Sequence, residues 1–232
     1  MDTQVDGQKS RSAATQQSLM LAAEKLIAKK GIKNVSIKEI VQEAGQKNES
    51  ALQYHFKNLQ GLIQAITDHR SLEIQTLRTE LIEKLRAKNR PITLRDVCKI
   101  MVMPSFLLGR RSTEHRRFIL GFSHDLALSS DTLAQASRHG AGGASGRATR
   151  ELITSQLTQL DEITLQERLQ SAVRLASISM GHHARQKNAF RGNSSDLFLS
   201  NLIDGIVGLL SAPMSEETAA LSAAAHSESD LS

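Results

Sequence analysis

The sequence predicts an all-α fold in two parts: a small N-terminal helical unit and a larger helical domain behind it. Three observations carry this. Only three prolines occur in 232 residues, and no stretch alternates apolar and polar residues for long. Aromatic residues are scarce, with no Trp and one Tyr, so the core must be built from aliphatic side chains. Apolar residues recur instead at i, i+3, i+4 and i+7 along most of the chain.

Residues 1–12 are polar and lack periodicity, which predicts a loose arm. Lys9 and Arg11 are its cations. A first helix is expected from Ala14 to Lys30, with Leu19, Ala22, Ala23, Leu26 and Ile27 on its apolar face. Lys29 and Lys30 suit the negative end of its dipole, and Gly31 stops it. Ser36 and Glu39 have the spacing of a capping box, so a second helix starts there. Ile37, Ile40, Val41 and Ala44 form its buried face, and Gly45 ends it. Asn48 can cap a third helix that buries Ala51, Leu52 and Phe56 and turns Ser50, Gln53 and Lys57 outward. Two short helices joined at a glycine, the second with a polar outer face, make a helix-turn-helix over residues 13–58. Arg11, Lys25, Lys29, Lys30, Lys33, Lys38, Lys47 and Lys57 surround it, against Glu24, Glu39, Glu43 and Glu49. Such an excess of cations beside a polar helix suits the phosphates of double-stranded DNA.

A long helix is expected from Leu59 to Ala87, lined by Ile63, Ile66, Ile74, Leu77, Leu81 and Leu85. It would span roughly 40 Å and link the DNA-reading unit to the rest of the chain. Pro91 can open the next helix, which carries Leu94, Val97, Cys98, Met101 and Val102, and Pro104 should kink or end it. His115 to Leu128 reads as another helix. Arg110, Arg111, Arg116 and Arg117 before and within its start read as a solvated cluster. The Gly-rich run from His139 to Arg147 reads as a flexible loop; it has neither a phosphate-loop ending nor a strand before it. Helices follow over residues 148–160 and 165–186, and then 196–211, with Asn193, Ser194 and Ser195 as cap candidates for the last. The 165–186 helix is apolar on two faces and the 196–211 helix nearly all round, beyond what one subunit easily covers. Pairing both with their symmetry mates predicts a homodimer built on a four-helix bundle. The tail from residue 214 is rich in Ala, Ser and Glu and is expected to fray.

The formal net charge of +5 permits a nucleic-acid partner. The lone cysteine, Cys98, excludes an intramolecular disulfide and a Cys-based zinc site, and reads as a small buried apolar residue. No signal-like apolar core and no run of membrane-spanning length is present, so no membrane partner and a cytoplasmic location are expected. No metal or other cofactor is expected.

Residues Thr15 to Ile66 resemble the TetR family of transcriptional regulators. The resemblance rests on Leu19-Met20 and Ala22-Ala23, on Gly31, on Ser36-Ile37 and Ile40, and on Ala44-Gly45. Its most specific part is Tyr54-His55-Phe56 followed by Gly61-Leu62-Ile63. It implies a helix-turn-helix DNA-binding domain ahead of a variable helical domain, residues 59–213, that dimerises and holds an unknown small-molecule effector. Repression relieved by that effector is the usual behaviour the resemblance implies. Carried over by position, Gln53, His55 and Lys57 would hold phosphates and Tyr54 would pack or touch the DNA backbone, with Ser36 opening the second helix beside them. Lys47, Asn48 and Ser50 are the candidates for base edges, since Lys suits guanine and Asn suits adenine. The chain departs from the family pattern in two places. It carries one residue more than usual between Ala44-Gly45 and Tyr54-His55-Phe56, so the resemblance does not fix the register of residues 46–49 on DNA. Leu59 also stands where a lysine is common, which leaves Lys57 to take that phosphate.

Met101, Phe106, Phe118, Phe122 and Leu175 are the candidates for an effector pocket, with plain core as the competing role. Two other functions compete with a regulator: a helical interaction protein without operator binding, and a small all-α enzyme using His182-His183 with His124 or His139. The second is disfavoured because adjacent helical residues point in different directions and no His-Glu-x-x-His spacing occurs.

Overall fold

The computed structural model describes residues 2–128 and 142–229. Among them the elements are all helical: α1 (Asp2–Lys30), a single 3-10 turn (Ile32–Asn34), α2 (Ile37–Glu43), α3 (Ser50–Phe56), α4 (Leu59–Arg86), α5 (Leu94–Arg111), α6 (Thr113–Leu128), α7 (Gly143–Gln156), α8 (Glu162–Ala184), α9 (Gly192–Ser211) and α10 (Glu216–Ser229). The all-α expectation holds.

Local signals set most of the ends. Gly31 follows α1 with φ +80°, and the Asn34 amide donates to the Lys30 carbonyl at 2.8 Å, satisfying a terminal acceptor. The α2 capping box is complete: the Glu39 amide donates to Ser36 Oγ, and the Ser36 amide donates to the Glu39 carboxylate. Its far end is a full Schellman motif, with Gln46 N–H on the Val41 carbonyl, Gly45 N–H on the Gln42 carbonyl, and Gly45 at φ +68°. Asn58 caps α4 through Gly61 N–H at 2.8 Å, and Thr93 with Asp96 boxes α5.

Several expectations are corrected. The arm over residues 1–12 is helical from Asp2 onward, because extending a helix already nucleated on a packed face costs little. The tail likewise forms α10, in a segment rich in alanine, the best helix former. Pro91 lies outside α5, which Thr93 opens. Pro104 does not end that helix. α5 runs through it, and the full burial of Val102 and Phe106 on either side offsets a proline cost of about 3 kcal/mol. In the Gly-rich run, residues 139–141 lie outside the described residues, while Gly143 to Arg147 form the first turn of α7. Asn193, Ser194 and Ser195 sit inside α9 rather than before it. Arg110 is not a free solvated cation: it donates to the Phe190 carbonyl at 2.8 Å, pairs with Asp196 and lies 4.9 Å over the Phe106 ring.

The packing falls into two main cores. One joins α1, α2, α3 and the start of α4 through Leu19, Ala23, Ile27, Ile40, Leu52, Phe56, Leu62 and Ile66, and α6 inserts Phe118 and Phe122 into it. Fully burying a phenylalanine is worth about 2–3 kcal/mol, so the small unit gains much of its stability from α6. The other core gathers α5, α7, α8 and α9 around Val97, Phe106, Leu165, Leu169, Phe190, Leu202 and Ile206. Cys98 is in it, fully buried, and burial pushes its thiol up to about 12, so it is an inert packing residue. α6 touches both cores. A Cβ on Gly121 would lie 2.8 Å from Ile27 of α1, and one on Gly181 of α8 would lie 1.9 Å from Ser123 of α6. The long helix α4 is therefore one of two links between the parts, and α6 is the other.

A buried polar layer lies at the junction of α1, α4 and α6. Arg70 donates twice to Glu24, at 2.7 and 2.8 Å, and once to Glu73 at 2.8 Å. Burial works against the Arg70 charge, but the two carboxylates outweigh it and its pKa is raised. His115, 1% exposed, has Nδ1 3.6 Å from Glu73, too far for a hydrogen bond, and among the described residues neither ring nitrogen has a hydrogen-bond partner. Burial pushes it down to about 4, so the ring is neutral near pH 7. The unfolded chain, titrating near 6.5, binds a proton that the folded state refuses. Stability is therefore expected to be complete above pH 6.5 and to fall as pH drops towards 4. His115→Leu should flatten that acid limb in urea titrations repeated across this window; an unchanged limb would refute the assignment.

Candidate nucleic-acid interface

α3 is short, and everything about its placement comes from what holds it. Leu52 and Phe56 anchor it inward, while Ser50, Gln53 and Tyr54 face out. Tyr54 is 82% exposed, an unusual position for the chain's one tyrosine, with its ring 5.0 Å edge-on from His55. His55 is half-buried beside it. α3 begins at Ser50, not Asn48, and Asn48 Oδ1 accepts from Ser50 N–H at 3.1 Å and from the Ser50 hydroxyl. Lys47 and Asn48 thus project from the turn, and the Asn48 amide nitrogen, rather than its oxygen, is left to face a partner.

Lys57 closes α3 in a strained conformation. Its φ is +67° and ψ −49°, and Asn58 N–H donates across it to the Phe56 carbonyl at 2.8 Å. This is a γ-turn of the rare kind, held by the helices on either side. It throws an exposed cation off the end of α3. Gly61 makes the turn possible: a Cβ there would lie 2.0 Å from the Phe56 carbonyl oxygen.

The charge field is narrower than the residue count suggests. Lys25 pairs with Glu43, and Lys30 with Glu39. Lys30 and the Ser36 amide and hydroxyl hold Glu39 down to about 2, so this pairing persists at neutral pH. Among the described residues, Lys29, Lys33, Lys38, Lys47 and Lys57 stay exposed and outside any ion pair. Both pairs join different helices, so no spacing rule in the sequence could have found them. Ser36 lies at the surface, its hydroxyl committed to the cap.

A helical unit that offers a short, polar, cation-flanked helix on a helix-turn-helix defines a DNA-binding regulator. Residues 19–66 match the family model described as bacterial regulatory proteins, tetR family, which supports a DNA-binding domain of that family at this end of the chain. No curated protein matches the chain.

The effector candidates are dispersed. Phe118 and Phe122 pack with tilted rings, centroids 4.8 Å apart, within the core of the DNA-reading unit. Phe106 is buried against Phe190 in the other core, with Met101 at that core's edge, and Leu175 is exposed on α8. The histidines do not converge either. His183 is buried, stacked 4.0 Å from Phe198, and its Nε2 accepts from Phe190 N–H at 3.2 Å; burial lowers its pKa. His182 and His124 are exposed, and His139 lies outside the described residues. Among the described residues no cluster of His, Cys, Asp and Glu could hold a metal ion, and no single helix is long and apolar enough to cross a membrane.

Proposed function

We propose that the chain is a ligand-responsive repressor that binds a pseudo-palindromic operator as a homodimer. The observation that carries this is the outward face of α3 and its turn, where Lys47, Gln53, Tyr54 and Lys57 stand exposed around a helix whose other side is fixed in the core. The dimer is supported by apolar surface on the two helices expected to pair. Ile178 on α8 is 46% exposed and Leu197 on α9 70% exposed, and a Cβ on Gly205 or Gly208 would meet nothing within 4 Å. Two DNA-reading units roughly 34–36 Å apart would then read one operator. An effector favouring another separation would act through α4 and α6, and a coupling of about 1–3 kcal/mol suffices.

Selection of bound fragments from a random duplex pool, at near-physiological salt, is the test. A pseudo-palindrome with half-sites one helical turn apart is expected. A folded dimer that enriches nothing would favour the helical interaction protein instead.

Within this reading Lys57 holds a phosphate and not a base. Lys57→Ala should weaken all sequences about equally and lower the salt slope by about one. Lys57→Gly should do the same to binding while raising stability by about 1 kcal/mol, because glycine accepts the positive φ without strain. A changed sequence preference in either variant would overturn the assignment.

A further inference from the structure

A groove of about 350 Å³ lies between α4 and the last turn of α5. That is within the range of small-molecule sites, roughly 300–1,000 Å³. On α4 it is lined by His69, Leu72, Glu73, Thr76, Leu77 and Glu80, which follow one another at three and four residues and so form one stripe of the helix. α5 adds Leu108 and Arg111. Leu72, Leu77 and Leu108 give the groove an apolar wall, and Leu72 is 63% exposed on it. None of the effector candidates Met101, Phe106, Phe118, Phe122 and Leu175 lines this groove.

Two carboxylates face one guanidinium here, on a chain whose net charge is +5. Neither carboxylate is fully used. Glu73 accepts from Arg70 at 2.8 Å through Oε2, the oxygen that also lies 3.6 Å from His115, while Oε1 takes no hydrogen bond among the described residues. Burial works against the Glu73 charge, but Arg70 outweighs it and its carboxyl is held below the usual value, so it is ionised at neutral pH. Glu80 has only Lys84 at 3.9 Å, a loose pair with both side chains more than half exposed. Arg111 is exposed and in no ion pair among the described residues. Nothing holds its charge in the groove, and a long side chain of this kind turns its head to water. An apolar wall beside two incompletely paired carboxylates is complementary to an amphiphilic cation.

We propose that this groove binds a small amphiphilic amine, with its ammonium at Glu73 in the field of Glu80 and its alkyl body on Leu72, Leu77 and Leu108. An ammonium brings three donors, and Glu73 Oε1 is an acceptor left open for one of them. The position of Glu73 also makes the site consequential. The Arg70 guanidinium that it accepts from is the one that holds Glu24 of α1, at 2.7 and 2.8 Å. A cation at Glu73 competes for that carboxylate and repels Arg70, and so bears on the tie between the DNA-reading unit and α4. This link to DNA rests on the regulatory reading above; the amine site does not.

The test titrates the full chain with hexylamine and follows thermal unfolding, with hexanol and hexanoate as the neutral and anionic counterparts. Hexylamine should raise the Tm of the wild type saturably, and the other two should not. Glu80→Gln lies outside the Arg70 network and should weaken the response about threefold, the scale of an exposed ion pair. Leu72→Lys places a like charge in the groove at an exposed helical position that tolerates lysine, and should abolish the response. Arg111→Ala should strengthen it, whereas a site for an anion would weaken. The proposal is overturned if hexylamine leaves the wild type unmoved, if hexanol or hexanoate matches it, or if Leu72→Lys responds like the wild type. Operator retention with and without hexylamine tests the link: the amine should lower retention by the wild type and not by Leu72→Lys. Groove binding that leaves retention unchanged would keep the amine site and reject its link to DNA.

Discussion

Arg70→Ala is expected to lower the unfolding free energy by about 3–5 kcal/mol, the range for a buried ion pair that loses one member. The substitution leaves Glu24 at 2% exposure with its carboxylate facing the space the guanidinium filled. It also frees Glu73, whose pKa Arg70 holds below the usual value against the opposing effect of burial. Because the pair ties α1 of the DNA-reading unit to α4, the loss should appear as early loosening of the N-terminal unit in hydrogen exchange. The double variant Glu24→Leu with Arg70→Met should recover most of the stability, since removing both charges leaves nothing unpaired. Urea unfolding of both variants decides the matter. A loss below about 1 kcal/mol for Arg70→Ala would mean that the pair behaves as a surface contact.

Gly61→Ala should cost about 3 kcal/mol, the upper end for overpacking, and should also abolish operator retention. The added methyl carbon would stand 2.0 Å from the Phe56 carbonyl oxygen, which is backbone and cannot rotate aside. That same carbonyl accepts from Asn58, and Asn58 caps α4 through Gly61 itself. Relief therefore requires the α3–α4 turn to open, which re-aims α3. Circular dichroism melts and gel retardation on the selected operator check the two halves separately. Retained binding with lowered stability would show that α3 holds its aim independently of the turn.

These two residues mark different depths of legibility. Gly61 stood in the family-like run Gly61-Leu62-Ile63, although its reason, a close approach to backbone, appears only when α3 and α4 are placed. Arg70 and Arg78 carried no signal. A charge on a helix reads as a solvated face, and nothing local says that α1 brings Glu24 to one and that the other is buried with its Nε unpaired. Phe118 and Phe122 show a third case. The sequence offered them as pocket lining or plain core of the second domain, and only the placement of α6 shows that they belong to the core of the DNA-reading unit.

The sequence by itself determined the elements whose signals are local. The capping box at Ser36 and Glu39, the glycine stop at Gly45 and the long helix beginning after Asn58 each depend on residues within one or two turns. So does the outward polar face of α3, because its inward anchors, Leu52 and Phe56, lie on the same seven residues. Only the tertiary structure decided which lysines remain unpaired, that α5 continues through Pro104, that α6 packs into both cores, and that Arg78 is buried. The reason is common to all four. Each depends on the free energy of contact between helices far apart in the chain, and no residue carries the identity of its distant neighbour.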